Sequence, residues 1–322
     1  MSEIPTIDVS PALDGSESGL AEVARRLDEV YTAVGFGQVI GHGVGPDLID
    51  DLFEASARFH ALPAADKAAI AVNDAHRGFI AMATSTIVTS SVDVVRRPNQ
   101  SESFMVMHEQ AEDHPDRLAG LPLAGPNQWP ATAPEIREPI ERYVAAMRSL
   151  GQRLLEAVAV ALGAPADTFD AAFAEPVTFL RLLRYPPQPP QSPEDLYGSA
   201  PHTDYGFLTF LAQHQLPGLQ VRRPDGTWID VPVADNAFVL NSADILRRWS
   251  NGRWVSTPHR VINRTGAERY SAPFFFDPHM TTVVEPLPSC VAAGEQPRFE
   301  PVVYGDYLME RLRANYTQHS DA

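Results

Sequence analysis

The chain has 322 residues, of which 44% are hydrophobic and 20% charged, and its formal net charge is −16. This is the composition of an ordinary globular protein, and the length allows one large domain or two smaller ones. The acidic balance disfavours nucleic acid and anionic membranes as partners, because both bind basic surfaces. The single cysteine, Cys290, excludes an intramolecular disulfide and a cysteine-based metal cluster.

The N-terminus carries no basic segment followed by an apolar run, so no signal peptide is predicted. No stretch approaches the ~18 uninterrupted apolar residues that indicate a membrane-spanning helix. We therefore expect a cytoplasmic protein with no membrane partner, and a monomer.

Apolar residues near the N-terminus alternate between the spacing of strands and that of helices. Residues 4–9 and 36–40 are predicted to form short strands. Helical spacing predicts amphipathic helices over 20–34 and 48–59. These elements indicate a mixed α/β region at the start of the chain.

The next part of the chain combines an irregular segment with a long helix. Residues 73–130 are rich in Ser, Thr, His and Pro and are interpreted as loops and short strands. Long connections are often functional lids, and an exposed loop is an equally good interpretation. A continuous apolar stripe predicts a scaffold helix over 133–162.

Beyond Pro176 the spacing of apolar residues changes to that of strands. Short strands separated by regular turn signals are typical of a sandwich or barrel such as a jelly roll. A last helix is predicted over 304–316. The strands are predicted over 177–185, 207–212, 218–221, 228–231, 238–241, 260–263 and 270–276.

The predicted fold class is mainly β with flanking helices. No linker divides the chain, so one domain, 1–322, is expected. It comprises an N-terminal mixed region (1–175), a jelly-roll core that carries the candidate site (176–300) and the C-terminal helix (301–322).

His202 and Asp204 stand two residues apart at a strand boundary. Residues i and i+2 of a strand point to the same face, and His259, at the start of a later β segment, could complete a three-point site. Two histidines and one carboxylate with open coordination positions suit non-haem Fe(II) oxygen chemistry. The His-x-Asp pair alone is a weak signal, because a surface turn explains it as well.

Arg269 and Ser271 follow His259 and would share one face of a strand. An arginine can bind a carboxylate through two parallel hydrogen bonds, and a serine hydroxyl can add a third. A metal with open positions beside a carboxylate anchor is what a bidentate 2-oxo acid requires.

With these motifs the chain resembles the isopenicillin N synthase-like family of Fe(II)/2-oxoglutarate-dependent dioxygenases. The matching stretches in the β-rich half are His202-Thr203-Asp204 with Gly206 and Leu208-Thr209, Asn251-Gly252-Arg253, Ser256 to Val261, and Arg269-Tyr270-Ser271. Those in the N-terminal half are Ile4 to Asp8, Gly35 to Val39 with His42-Gly43-Val44, Arg77-Gly78-Phe79, and Asn127 to Pro130.

The resemblance implies a distorted double-stranded β-helix, or jelly roll, with flanking helices and a mixed N-terminal region. It also implies that His202, Asp204 and His259 are the metal ligands and the catalytic centre. Fe(II), 2-oxoglutarate and O2 would be required, and 2-oxoglutarate would be converted to succinate and CO2. A small-molecule substrate would be hydroxylated, with desaturation or ring closure as variants.

The resemblance further implies a cosubstrate site. Arg269 and Ser271 would hold the far carboxylate of 2-oxoglutarate, and Tyr185 matches the family's tyrosine on the cosubstrate side. Many plant members carry Asn two residues before that tyrosine, where this chain has Leu183. The cosubstrate contacts at this position therefore depart from the family pattern.

Substrate contacts are predicted in the irregular region, near the metal motif and in the C-terminal helix. Phe and Met dominate these positions, which favours a partly apolar substrate. Arg181 could pair with a substrate carboxylate or with a neighbouring Glu. The predicted substrate residues are Arg77, Phe79, Phe104, Met105, Arg181, Tyr205 and Phe276.

Asn241 and Asp244 are not predicted to belong to the site. They are interpreted as organising the turn before Trp249.

Three other functions are compatible with parts of this pattern. An Fe(II) oxidase of the same fold, of the oxidative cyclase type, would use the Arg-x-Ser pair for its substrate's carboxylate. A non-catalytic metal- or ligand-binding β-barrel would have no need of all five residues. A zinc hydrolase could use the two histidines and the aspartate, but the carboxylate clamp has no role there.

Overall fold

The computed structural model describes residues 4–189 and 191–316. The strands are β1 (Thr6–Asp8), β2 (Phe36–Ile40), β3 (Gly78–Ile80), β4 (Glu102–Met107), β5 (Val177–Tyr185), β6 (Ser199–His202), β7 (Leu208–Gln213), β8 (Leu219–Arg222), β9 (Trp228–Asp230), β10 (Phe238–Ser242), β11 (His259–Val261), β12 (Arg269–Asp277), β13 (Val283–Val284) and β14 (Val302–Val303). The helices are α1 (Ser10–Leu13), α2 (Glu17–Ala33), α3 (Pro46–Ala61), α4 (Ala64–Ala68), α5 (Pro115–Leu118), α6 (Arg137–Ala161), α7 (Asp244–Trp249) and α8 (Tyr304–Asn315). Residues 317–322 of the predicted C-terminal region lie outside the described part of the chain.

Eight strands form a large sheet in the order β1-β2-β10-β7-β12-β5-β4-β3. Its centre is antiparallel, with β12 paired to β5 on one side and to β7 on the other. Side chains alternate between the two faces of each strand. One face therefore turns towards the candidate site and the other towards the helices.

A smaller sheet, β6-β11-β8-β9, packs opposite the large one. A second apolar cluster lies between the two sheets, and it includes Phe36, Tyr185, Val221 and Val261. The two sheets form the jelly-roll core, so the predicted fold class is confirmed.

The long helices α2, α3 and α6 pack together on the outer face of the large sheet. Their buried residues recur at helical spacing, as in α6, where Ile140, Met147 and Leu154 are all buried. Gly151 of the same helix permits a close approach, since an added Cβ would lie 2.7 Å from the ring of Phe276 on β12. Within the described residues, no helix is both long and apolar enough to cross a membrane.

The irregular region 73–130 contributes more to the sheet than its composition indicates. It contains β3 and the six-residue β4, which extend the large sheet beyond β5. All residues of β4 are buried. The predicted strands at 36–40 and 177–185 agree with β2 and β5 to the residue, because glycine or proline flanks each of them at both ends.

Candidate active site

Strand pairing places the two histidines of the motif side by side. His202 ends β6, His259 begins β11, and the two residues are direct partners in the antiparallel register. Their ring centroids lie 4.3 Å apart. Asp204 is not on the strand as the motif predicted; it lies in the connection between β6 and β7.

The three side chains converge on one point. The Nε2 atoms of His202 and His259 lie 3.7 and 3.6 Å from Oδ1 of Asp204. These separations are too long for hydrogen bonds. One ligand atom from each residue lies within 4.8 Å of the others. Three ligands around a common point with open positions can hold a divalent metal ion.

The second oxygen of Asp204 is held by two donors. The Oγ1 hydroxyl of Thr209 donates to Oδ2 at 2.7 Å, and Nδ2 of Asn241 donates to the same atom at 2.8 Å. Oδ1 accepts neither of these hydrogen bonds and remains free to bind a metal ion together with the two histidines. The sequence interpretation of Asn241 as a turn residue missed this contact, because Asp204 and Asn241 lie on separate segments.

Both histidines are oriented by backbone carbonyls. The Nδ1 of His202 lies 2.8 Å from the carbonyl oxygen of Ala200, and that of His259 lies 3.2 Å from the carbonyl oxygen of Thr257. A carbonyl only accepts hydrogen bonds, so each Nδ1 carries the proton and each Nε2 keeps its lone pair. This is the tautomer of a metal-ligating histidine.

The charge states also suit metal binding. Burial and the neighbouring His259 lower the pKa of His202 to about 4, so its imidazole is neutral at pH 7. Burial opposes ionisation of Asp204, but His259 and His202 together hold the pKa of its carboxyl below the ordinary value. Neutral imidazoles and an ionised carboxylate are the forms that bind metal.

Another group of possible ligands comprises His114, Asp116 and Glu175. Here the Nδ1 of His114 accepts the backbone N–H of Asp116 at 3.2 Å and caps α5. The neutral ring then carries its proton on Nε2, which has no lone pair for a metal. This group is better explained as a hydrogen-bond network.

Arg269 of β12 is a buried cation close to the three converging side chains. The side chain of Arg269 is fully buried, with Nε donating to the carbonyl of Leu216 at 3.2 Å and Nη2 to Oε1 of Gln213 at 3.1 Å. Its Nη1 has no hydrogen-bond partner in the described part of the chain. Burial lowers the pKa of Arg269, but a guanidinium stays charged at pH 7.

His202, Asp204 and His259 are called the metal-binding cluster below. One continuous cavity joins this cluster to Arg269 and Ser271. Both residues lie on β12 and point into it. The guanidinium carbon of Arg269 is 5.1 Å from the ring centroid of Tyr185 on β5, and Tyr185 and Leu183 also line the cavity. An unpaired guanidinium N–H and a buried hydroxyl can bind a carboxylate whose other end reaches the metal.

Two family models match the chain. The 2OG-Fe(II) oxygenase superfamily matches residues 175–278, and the model described as non-haem dioxygenase in morphine synthesis N-terminal matches residues 4–132. The 2-oxoglutarate-Fe(II) type oxidoreductase hxnY of Emericella nidulans is 35% identical over 319 residues, which are 97% of this chain and 90% of that protein. The chain belongs to the 2OG-Fe(II) oxygenase superfamily.

Further relatives agree with this assignment. Homoarginine-6-hydroxylase of Glycine max is 33% identical over 98% of both chains. A full-length Neurospora crassa protein in complex with alpha-KG and thymine has a TM-score of 0.85 at 29% identity, over 97% of this chain and 96% of that one. The dioxygenase for auxin oxidation in rice has a TM-score of 0.74 at 28% identity, over 97% and 95%. The protein is an Fe(II)/2-oxoglutarate-dependent dioxygenase that acts on a small molecule.

A second chamber of the dioxygenase adjoins the metal-binding cluster. His202 and Asp204 form one wall, and three of the predicted substrate residues, Met105, Arg181 and Tyr205, line it. Arg181 lines both this chamber and the cavity of Arg269, so it lies between the two. The remaining lining includes Ile87, Phe179, Phe275, Leu308 and Tyr316.

The other predicted substrate residues of the dioxygenase lie away from the chamber. Phe104 and Phe276 face the helices, where Phe104 stacks on Phe59 at 4.3 Å between ring centroids. Phe79 also packs on Phe59. Arg77 is fully buried and donates to the carbonyls of Ala75 and His108, so it ties backbone segments together.

The sequence predicted substrate contacts from the C-terminal helix as a region, but several individual residues that line the chamber were not named. Phe275 rather than Phe276 points into it, as do Asp277 and Tyr316, the residue that directly follows α8. Strand alternation offered a signal for Phe275, because it has the same parity as Arg269 and Ser271. No local pattern marks Tyr316, which reaches the chamber because α8 docks beside it.

Proposed function

We propose that His202, Asp204 and His259 hold the Fe(II) of this dioxygenase. Arg269 and Ser271 then bind the far carboxylate of 2-oxoglutarate, and the adjoining chamber receives the substrate, which is hydroxylated. The observation that carries this proposal is the single cavity that runs from the three converging ligands to a buried, unpaired guanidinium N–H.

Each protein group has a separate task in this proposal. When bound, Fe(II), 2-oxoglutarate and O2 would supply the oxidising chemistry, in which 2-oxoglutarate and O2 give succinate, CO2 and the oxygen atom of the new hydroxyl group. Thr209 and Asn241 fix the carboxylate of Asp204. Arg269 sets the position of the cosubstrate, and the ring of Tyr185 packs against its guanidinium and keeps it in place.

The substrate chamber is mainly apolar, and Arg181 is the one cationic side chain among the described residues that line it. Arg181 donates from Nε to Oγ of Ser103 at 2.8 Å and from Nη1 to the hydroxyl of Tyr316 at 3.2 Å. No carboxylate of the described chain lies within ion-pair distance of it. Arg181 is therefore placed to donate to an oxygen atom of the substrate, while Met105 and Phe275 contact its apolar part and exclude water.

The cosubstrate assignment is tested by replacing Arg269. In the Arg269→Gln variant we expect the KM for 2-oxoglutarate to rise about 100-fold, because a buried charge-assisted contact contributes several kcal/mol. Ser271→Ala removes one neutral hydrogen bond and should raise the KM for 2-oxoglutarate about fivefold. Succinate formation measured against 2-oxoglutarate concentration gives both values.

The matched control is Arg260→Gln. Arg260 lies on β11 next to the metal-binding cluster, but its guanidinium carbon stacks on Trp228 at 4.1 Å, and it does not line the cavity. Its replacement should leave the KM unchanged. O2 uptake that proceeds without 2-oxoglutarate, or an equal effect in both arginine variants, would refute the proposal.

A further inference from the structure

An arginine-rich cleft opens beside the active site. It is lined by Arg247 and Arg248 of α7 and by Arg311 of α8. His202, Thr203 and Tyr205 also line it, and His202 and Tyr205 line the substrate chamber as well. The cleft and the chamber therefore lie on either side of a wall that His202 and Tyr205 share.

Two aromatic rings hold the three guanidinium groups together. The ring centroid of Phe299 lies 5.5 Å from the guanidinium carbon of Arg247 and 5.2 Å from that of Arg248. The ring centroid of Tyr307 lies 5.4 Å from that of Arg248 and 5.1 Å from that of Arg311. Stacking on a ring orients a guanidinium without neutralising its charge.

Three arginines and one acid are among the described residues that line this cleft, so its net charge is positive. None of the three arginines has a carboxylate within 4.0 Å in the described part of the chain. Asp244, the one acid among the described lining residues, accepts hydrogen bonds at Oδ2 from Tyr307 at 2.9 Å and Thr203 at 3.3 Å. The chain has 41 acidic residues against 25 Lys and Arg. A shortage of acidic residues therefore does not explain why these arginines lack ion pairs.

Several donors in the cleft lack an acceptor. The Nε of Arg311 and the Oγ of Ser256 are buried atoms without a hydrogen-bond partner in the described chain. The side chain of Arg247 is exposed and also makes no hydrogen bond within the described chain. Buried donors without partners are costly, and a bound oxyanion would satisfy them.

We propose that this cleft binds an anionic group of the substrate, a carboxylate or a phosphate, while the carbon to be oxidised lies in the chamber beside Asp204. Guanidinium groups bind either oxyanion through paired hydrogen bonds. The inference rests on the proposed function, since it assigns the substrate class of the same active site. It concerns a different anion site from that of Arg269, which does not line the cleft.

Calorimetric titration of the anaerobic protein with Fe(II) and saturating 2-oxoglutarate tests this inference. The probes are phenylacetate and phenyl phosphate, with phenylacetamide as the neutral match and inorganic phosphate as a free anion. We expect at least one aromatic anion to bind about tenfold or more tightly than the amide. Added NaCl should weaken this binding, because it screens exposed charges.

The decisive variant combines Arg247→Gln, Arg248→Gln and Arg311→Gln. It should lose about tenfold or more of the anion affinity, whereas Arg313→Gln, an exposed arginine of α8 outside the cleft, should bind as the wild type does. Unchanged 2-oxoglutarate affinity, measured in the same instrument, shows that the triple variant is folded.

The remaining outcomes overturn the inference. These are failure of every anion to bind, equal binding of the amide, retained affinity in the triple variant, or loss of affinity in Arg181→Gln but not in the triple variant. Inorganic phosphate binding as tightly as phenyl phosphate would identify a free-anion site instead. The titration measures binding of the probe, whereas the Arg269 experiment measures turnover of 2-oxoglutarate. A failure of one experiment can therefore be distinguished from a failure of the other.

Discussion

The two carboxylate oxygens of Asp204 have different surroundings. Oδ2 accepts hydrogen bonds from Thr209 and Asn241, whereas Oδ1 faces the two histidines. The carboxylate is thus oriented by protein donors alone. Donors of this kind strengthen metal binding because the ligand needs little reorganisation.

Thr209→Val removes one of these donors with little change in side-chain size. We expect Fe(II) to bind about tenfold more weakly, since outer partners of metal ligands contribute 10- to about 100-fold in affinity. Anaerobic titration with Fe(II) measures the change. Thr178→Val is the matched control, because Thr178 is also buried but its Oγ1 has no hydrogen-bond partner among the residues that the structure describes. Equal losses in both variants would contradict the role of Thr209.

At the scale of the element, β12 separates the active site from the helical layer. Arg269, Ser271 and Phe275 point to the cavities, whereas Phe274 and Phe276 are fully buried on the other face. The ring of Phe276 stacks on Phe173 at 5.0 Å between centroids. A strand in this position must satisfy packing on one face and chemistry on the other.

Replacing the two neighbouring phenylalanines of β12 should separate these roles. Phe276→Ala should lower the free energy of unfolding by about 3–5 kcal/mol, because it leaves a cavity between the sheet and α6. Phe275→Ala should lower it by less than half as much, since that ring already borders open space. Urea denaturation of both variants measures the difference. A larger loss for Phe275→Ala would mean that the two faces are misassigned.

At the scale of the whole molecule, a buried ionic cluster joins the helical layer to the sheet. Glu102 of β4 contacts His60 of α3 at 3.1 Å, Lys67 of α4 at 3.1 Å and Arg184 of β5 at 3.0 Å. Burial raises the pKa of Glu102, but the hydrogen bonds from these three partners outweigh it and hold the value at about 2. The cluster fixes α3 and α4 against the two strands.

The lowered pKa of Glu102 predicts how stability depends on pH. A carboxyl whose folded pKa lies below its ordinary value of 4.5 contributes stability above that pH and loses it as the pH falls towards about 2. Glu102→Gln should therefore cost about 3 kcal/mol at pH 7, since it leaves Lys67 buried without its acid. The difference from the wild type should shrink as the pH falls below about 5.

Urea denaturation at a series of pH values measures this dependence. Glu268→Gln is the control, because Glu268 is an exposed partner of Arg184 and its loss should cost less than about 1 kcal/mol. A difference between the wild type and Glu102→Gln that stays constant from pH 7 to low pH would rule out the ionised cluster as its cause.

Local patterns were sufficient to predict the fold class, the main strands and the identity of the converging residues. The His202-x-Asp204 and Arg269-x-Ser271 pairs are short motifs, and strand alternation places Arg269 and Ser271 on one face of β12. His259 joins the first pair through the pairing of β11 with β6. The same alternation correctly indicates which residues of β5 and β12 can share a cavity. These features depend on neighbours in sequence, so the sequence contains them directly.

Other features depended on contacts between distant segments. Asn241 reaches Asp204 through the pairing of β10 with β7, Phe104 turns to the helices because β4 joins the sheet, and Tyr316 enters the chamber because α8 docks there. The arginines of the cleft likewise come from two helices with no common motif. Packing of the two sheets and the helical layer brings these side chains together, and no local periodicity encodes that packing.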